Sequence, residues 1–265
     1  MPFHSWAPDV YQGAPTPVVA FMAAAVKAAA FAGMLRIFVV ALGPAYRDEW
    51  RPLVLALAVL SLLVGSVLAI VQRNVKRMLA YSSISHAGFI LVAVHAASDR
   101  GTSAALFYLA AYTFMVAGSF GIATVVGRTG DGHHSLDDYR GLGRTRPGLA
   151  LAFSVLLLAQ AGVPFTAGFL AKFYVVTAAV DSGDTALAVV AMLAAVIAAF
   201  LYLRIIVAMY FEEGEAVDAP PVRVPAAAAV ALGVALVGTL VLGIVPGPLT
   251  RVANDAVAQL VAVGR

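Results

Sequence analysis

PTPVVAFMAAAVKAAAFAGML, Pro15 to Leu35, carries one charge, Lys27, and its apolar run continues past Arg36 to Leu42. About 20 apolar residues are what a helix needs to cross the hydrocarbon of a bilayer. Six further stretches have the same character, so the predicted spans are 18–42, 53–72, 79–97, 102–127, 148–180, 185–211 and 224–245. Of the 265 residues, 62% are apolar and 12% charged, with a mean hydropathy of +0.93. A water-soluble domain carries roughly twice that charged fraction. Ten-residue alternating segments, the mark of an outer-membrane barrel, are absent. The expected fold is an all-α integral membrane protein, a bundle of about seven transmembrane helices, one of them broken (148–180).

The chain has no cysteine, which excludes disulfides, thiolate metal sites and cysteine-held iron–sulfur clusters. The residues before the first span include Asp9 but no Lys or Arg, unlike the positive region of a signal peptide. Basic residues are scattered through short loops, which argues against nucleic acid and makes them topology determinants. Arg73, Lys76, Arg77, Arg128, Arg140, Arg144, Arg146 and Arg223 fall on the side of the N-terminus, and Arg47, Arg51, Arg100, Arg251 and Arg265 on the other. The positive-inside rule therefore places the N-terminus in the cytoplasm and the C-terminus outside a cell membrane. On the cytoplasmic side, 127–148 reads as a solvated loop rather than a metal site built on His133, His134, Asp137 and Asp138, since nothing fixes a coordination geometry. Glu212, Glu213, Glu215 and Asp218 mark a second loop there.

The fifth span is irregular. LLLAQAGVPFTAGFLAKFYVV, Leu156 to Val176, places Gly162, Pro164 and Gly168 within seven residues, and a proline removes a helical N–H and clashes with the turn before it. Broken helices mark ion and substrate sites in transporters, although a packing kink reads equally well from the sequence alone. Lys172 follows four residues after Gly168. Of the other two lysines, Lys76 lies in a loop and needs no special account. Lys27 lies nine residues into its span, about 14 Å along a helix at 1.5 Å per residue, beyond the reach of snorkelling. A charge at that depth costs at least about 2.5 kcal/mol and usually faces a bundle interior or a water path. Burial disfavours an ammonium, so Lys27 reads as a group that takes up and releases a proton. All fourteen carboxylates lie in loops or near span ends, leaving both membrane lysines without a sequence neighbour of opposite charge. His86 and His95 are further candidates for handing on protons, with a structural hydrogen bond as the other reading, above all for His95 beside the loop. Tyr81, Ser82, Ser83, Ser85, Ser154, Gln160, Thr166 and Tyr174 could order water, and Arg204 is expected to snorkel.

PFHSWAPDVYQGAPTPV (2–18), NVKRMLAYSSISHAGF (74–89) and GVPFTAGFLAKFYV (162–175) resemble, in this order, the second half of the subunit N type of membrane subunit in respiratory NADH:quinone oxidoreductase, complex I. The DVYQGAPTP run resembles subunit N more closely than its sisters L and M. The resemblance covers essentially the whole chain. It implies the second half of a fourteen-helix antiporter-like subunit built from two inverted five-helix repeats. Lys27 matches the lysine of helix eight and Lys172 that of broken helix twelve, the outlet side; His86 falls in the YSSISH signature. The three would form a proton relay. The resemblance also implies that 1–17 is the end of broken helix seven and its loop, continuing from an absent half that carries a glutamate and a lysine of the relay. It further implies that 18–246 is the bundle and 247–265 an amphipathic tail. The implied activity is proton translocation as a subunit of a translocase that couples electron transfer from NADH to quinone to pumping. The chain itself would bind no cofactor; NADH, FMN, iron–sulfur clusters and quinone belong to the complex. Its partners would be other membrane subunits and the lipid bilayer. Two alternatives stand beside it: a subunit of a multi-subunit cation/proton antiporter, and an inactive truncated remnant.

Overall fold

The computed structural model describes residues 3–127, 130–213 and 224–263; Arg128, Glu215, Asp218, Arg223 and Arg265, used above to read the loops, lie outside them. Among the described residues each predicted membrane span is built of helix, one of them in two halves. After α1 (Trp6–Gly13) come α2 (Thr16–Ala41), α3 (Arg47–Ile70), α4 (Val75–His95) and α5 (Asp99–Gly127). The half-helices α6 (Pro147–Ala161) and α7 (Ala167–Asp181) follow, then α8 (Thr185–Phe211), α9 (Ala226–Ile244) and α10 (Gly247–Val263). Six of these are long and apolar enough to cross a membrane. The seventh predicted span is the α6–α7 pair, interrupted where Gly162, Pro164 and Gly168 placed the break.

Burial grades from the centre outward. Helix α4 is buried along nearly its whole length, α5 over most of it, and α2 and α9 largely face outward. The centre holds because backbones approach closely. A Cβ on Gly65 of α3 would lie 2.6 Å from the Ser85 nitrogen, and one on Gly88 of α4 would lie 2.8 Å from the Leu62 nitrogen. Reciprocal glycines of this kind let two helices pack main chain to main chain where no hydrophobic effect drives them together. Outward faces carry the apolar side chains: Val189, Leu193, Val196, Phe200, Leu203 and Val207 of α8 are all exposed at spacings of three and four that put them on one helical stripe.

The loop before α6 differs from its expectation. It is seated on the start of α4, with Val75 N bonded to the His134 carbonyl and Leu136 N to the Arg73 carbonyl, each at 2.7 Å. His134 is 4% exposed and Lys76 1%, so the loop is not simply solvated and Lys76 does need an explanation. That explanation is Asp131. Its carboxylate accepts from Lys76 Nζ (2.9 Å), Thr16 N (2.9 Å), Thr16 Oγ1 (2.6 Å) and His134 Nε2 (2.7 Å), and Lys76 also donates to the Ala14 carbonyl at 2.7 Å. The two loop histidines serve separate carboxylates, His133 facing Asp138 and His134 facing Asp131. Arg204 does not merely snorkel: its Nη1 donates to the Ile70 and Gln72 carbonyls at 2.7 and 3.0 Å, satisfying the open C-terminal end of α3. At the opposite end His95 Nε2 lies 3.1 Å from Asp184, which Arg51 holds at 2.7 Å.

Burial alone would raise the Asp131 pKa, but the hydrogen bonds from Thr16, Lys76 and His134 outweigh it and hold the carboxyl well below its usual range. A depressed folded pKa contributes stability that is present above the unfolded value of about 3.9 and lost as pH falls toward the folded value. Asp131→Asn is therefore expected to lower thermal stability at pH 7 by about 3 kcal/mol, because it strands the buried Lys76 ammonium. In melting curves of detergent-purified protein the difference from wild type should shrink below pH 4.

Candidate functional site

The membrane-embedded polar groups converge on α4. Lys27 follows a π-type turn, Met22–Val26, in α2, a local register shift often found at functional positions. Its half-buried ammonium donates to the Ser83 carbonyl and Ser83 Oγ, both at 2.6 Å, and reaches the Tyr112 hydroxyl at 3.4 Å; it also lies 4.4 Å from the centroid of the Tyr112 ring. Those three oxygens match the three donors of an ammonium. Lys172, 7% exposed, projects from α7 onto the end of α6 and donates to the Gln160 and Ala161 carbonyls at 2.8 Å each. These carbonyls belong to the negative end of the half-helix. The Phe89 ring lies 5.1 Å away on another side, at cation–π range. Among the described residues neither ammonium has a carboxylate within 4.0 Å.

The break makes the Lys172 seat. Gly162 ends α6 at φ +97° and Phe165 also has positive φ, +68°. A Cβ on Gly168 would lie 1.8 Å from the Ala159 carbonyl oxygen. Only glycine lets α7 begin against the end of α6, and that closeness is what puts Lys172 within reach of the two carbonyls.

His86 stands on α4 between these lysine neighbourhoods and is 2% exposed. Its Nδ1 is 2.7 Å from the Tyr108 hydroxyl and its Nε2 is 3.0 Å from the Tyr202 hydroxyl. Tyr202 in turn lies 2.5 Å from Ser82 Oγ. The His86 ring is 4.8 Å from the Tyr112 ring that touches Lys27 and 6.5 Å from the Phe89 ring that faces Lys172. The structure thus brings Lys27, His86 and Lys172 into one buried axis through aromatic neighbours. Of the other polar residues singled out in the sequence, Ser82, Ser83 and Gln160 join it, Gln160 donating to Ser119 Oγ at 2.7 Å. Ser154 and Thr166 instead return to carbonyls of their own segment, and Tyr174 packs edge-on against Phe107. His95 sits apart with Asp184. Sequence reasoning missed Tyr108, Tyr112 and Tyr202. The available signal was the i, i+4 placement of Tyr108 and Tyr112 inside an apolar span, since a buried tyrosine hydroxyl needs a partner.

A family-level sequence match, described as NADH:quinone oxidoreductase/Mrp antiporter, TM, covers residues 1–198. The chain belongs to this family. Subunit N 1 of the NADH-quinone oxidoreductase of Solibacter usitatus is 49% identical over 260 residues, 98% of this chain and 53% of the relative. In the solved structure of respiratory complex I from Thermus thermophilus with bound aureothin, a chain superposes with TM-score 0.79 at 36% identity, over 94% of this chain and 54% of that one. A chain of the membrane-bound sulfane sulfur reductase, an archaeal respiratory membrane complex, superposes with TM-score 0.88 at 30% identity, over 98% and 53%. The chain therefore spans about half the length of the relatives it matches, and its resemblance to subunit N is upheld. The part matched to the NADH:quinone oxidoreductase/Mrp antiporter family contains Lys27, His86, Tyr108, Tyr112 and Lys172; Tyr202 lies just beyond it. Like other members, the chain is a multi-pass membrane protein.

Gly168→Ala is expected to reduce the amount of folded protein in membranes severalfold, because the methyl group meets a backbone oxygen that cannot yield. Gly233→Ala, where nothing lies within 4 Å, should leave it unchanged. Quantifying both variants by membrane extraction and size-exclusion chromatography checks the contrast.

Proposed function

We propose that this chain is a proton-translocating membrane subunit of an NADH:quinone oxidoreductase, with Lys27, His86 and Lys172 as its proton-carrying groups. The observation that carries the reading is the pair of membrane-embedded lysines satisfied by carbonyl and hydroxyl oxygens but by no carboxylate among the described residues. An ammonium held only by neutral oxygens can lose its proton without leaving a buried anion behind, and a neutral amine can accept one at the same seat. Lysine is suited to this where arginine is not. The redox chemistry, with NADH, FMN, iron–sulfur clusters and quinone, falls to other subunits of the complex; this chain, without cysteine, offers no thiolates for an iron–sulfur cluster.

The orientation proposed is cytoplasmic for the end holding α1 and the 130–146 loop, and external for the end holding α10. Among the described residues Arg73, Lys76, Arg77, Arg140, Arg144 and Arg146 at the first end, against Arg47, Arg51, Arg100 and Arg251 at the other, support it. The division proposed from the sequence is kept: 1–17 as the end of a broken helix and its loop, 18–246 as the bundle and 247–265 as an amphipathic tail. The partners proposed are other membrane subunits of complex I in a cell membrane. A cation/proton antiporter subunit is the second reading, because the family description joins the two; the 49% identity to a subunit N favours the first. Purification together with flavin and iron–sulfur subunits supports the first reading, and activity in a complex free of redox centres supports the second.

In the assembled complex, Lys172→Ala and Lys27→Met are each expected to preserve assembly and to lower proton flux per complex about tenfold or more, with Lys172→Arg no better than alanine. Flux measured in sealed vesicles with a pH-sensitive dye decides the matter. Normal pumping by Lys172→Ala would remove it from the relay, and poor assembly with normal flux per complex would make Lys27 structural.

A further inference from the structure

The described hydrogen bonds of His86 lead to neither lysine. Both ring nitrogens are taken by tyrosine hydroxyls, Tyr108 from α5 at Nδ1 and Tyr202 from α8 at Nε2, and the Tyr202 hydroxyl continues to Ser82 Oγ. All four side chains are buried, none more than 2% exposed. A proton that reaches or leaves this imidazole in the plane of its ring therefore meets a phenol first. Resting on the relay reading above, we propose that Tyr108, His86, Tyr202 and Ser82 form a proton wire crossing from α5 to α8. Its two tyrosine hydroxyls are the groups through which His86 gains and loses its proton.

Counting hydrogens fixes the resting arrangement. A neutral imidazole has one N–H and one lone pair, and each hydroxyl has one hydrogen. With the hydrogen on Nε2, Tyr108 donates to Nδ1, Nε2–H donates to the Tyr202 oxygen, and Tyr202 donates to Ser82. Ser82 can turn its own hydrogen to a carbonyl one turn back on α4, as helical serines do. With the hydrogen on Nδ1 the order reverses, and the Tyr108 hydrogen must turn away from its nitrogen acceptor inside a buried site. The first arrangement is therefore the resting one. Transfer then balances in one pass. A proton from a water molecule at the Tyr108 end binds the Tyr108 oxygen as that hydroxyl gives its own hydrogen to Nδ1. The Nε2 hydrogen moves to the Tyr202 oxygen, Tyr202 passes its own to Ser82, and Ser82 gives one to a water molecule at the other end. One proton enters and one leaves, only O–H and N–H bonds change, and the pass leaves the imidazole hydrogen on Nδ1. On the Tyr108 side, Phe89 lies 6.0 Å from the Tyr108 ring and 5.1 Å from the Lys172 ammonium.

The test uses the assembled complex. Tyr108→Phe and Tyr202→Phe each delete one hydroxyl and keep the ring, and each is expected to lower proton flux per complex about tenfold or more. Tyr139→Phe, which deletes a buried hydroxyl without a hydrogen-bond partner in the 130–146 loop, should stay at the wild-type rate. Spectra of ¹⁵N-histidine-labelled complex should place the His86 hydrogen on Nε2 with both nitrogens hydrogen-bonded, and Tyr202→Phe should shift the Nε2 signal. Full flux in both tyrosine variants alongside a dead Lys172→Ala would overturn the wire and leave the relay standing; full flux in Lys172→Ala would overturn the relay itself. Should a tyrosine variant fail to assemble, Ser82→Ala removes only the end of the wire. Lowered flux there supports the wire, and wild-type flux overturns it.

Discussion

The Lys172 ammonium sits 2.8 Å from each of two carbonyls at the end of α6, and this contact resolves two shortages together. A helix interrupted inside a bilayer leaves carbonyls with no N–H to meet, and hydrocarbon supplies no water to replace it. A lysine at the same depth has donors and no anion. Each supplies what the other lacks, so the break is tolerated because the lysine is there, and the lysine because of the break. Gly168 enforces the arrangement by allowing α7 to start in contact with Ala159, and Phe89 closes a further side of the amine. The buried axis through His86 to Lys27 is built outward from that seat.

Lys76 shows the opposite solution with similar parts. It too reaches a carbonyl at a joint in the chain, that of Ala14 between α1 and α2, but it also has Asp131 at 2.9 Å. The pair ties the 130–146 loop, the α1–α2 joint and the start of α4 together. What separates Lys76 from Lys27 and Lys172 is one carboxylate, placed outside the membrane span.

What could be read from the sequence follows from how local the signal is. The spans show as apolar runs, and the break shows in Gly162, Pro164 and Gly168 because helix interruption is a property of those residues themselves. Lys27, Lys172 and His86 are visible since charge or titratable nitrogen in such runs is conspicuous. The contacts that give them meaning are not local. Asp131 meets Thr16 across 115 residues of chain from within a glycine-rich stretch that looks like any solvated loop. Lys76 could be counted as a topological charge because nothing near it in sequence announces its partner. Tyr108, Tyr112 and Tyr202 read as bulky core residues until helix packing turns their hydroxyls onto His86 and Lys27.

The glycine contact between α3 and α4 has a mechanical meaning. With Gly65 against the Ser85 backbone and Gly88 against that of Leu62, sliding either helix by one turn, about 5.4 Å, would drive side chains into spaces that hold only hydrogen. The pair is locked in register, and Ser82, Ser83 and His86 ride on the locked element. It is a stator: the spacing of these side chains along α4 is held by main chain against main chain, not by side chains that could repack.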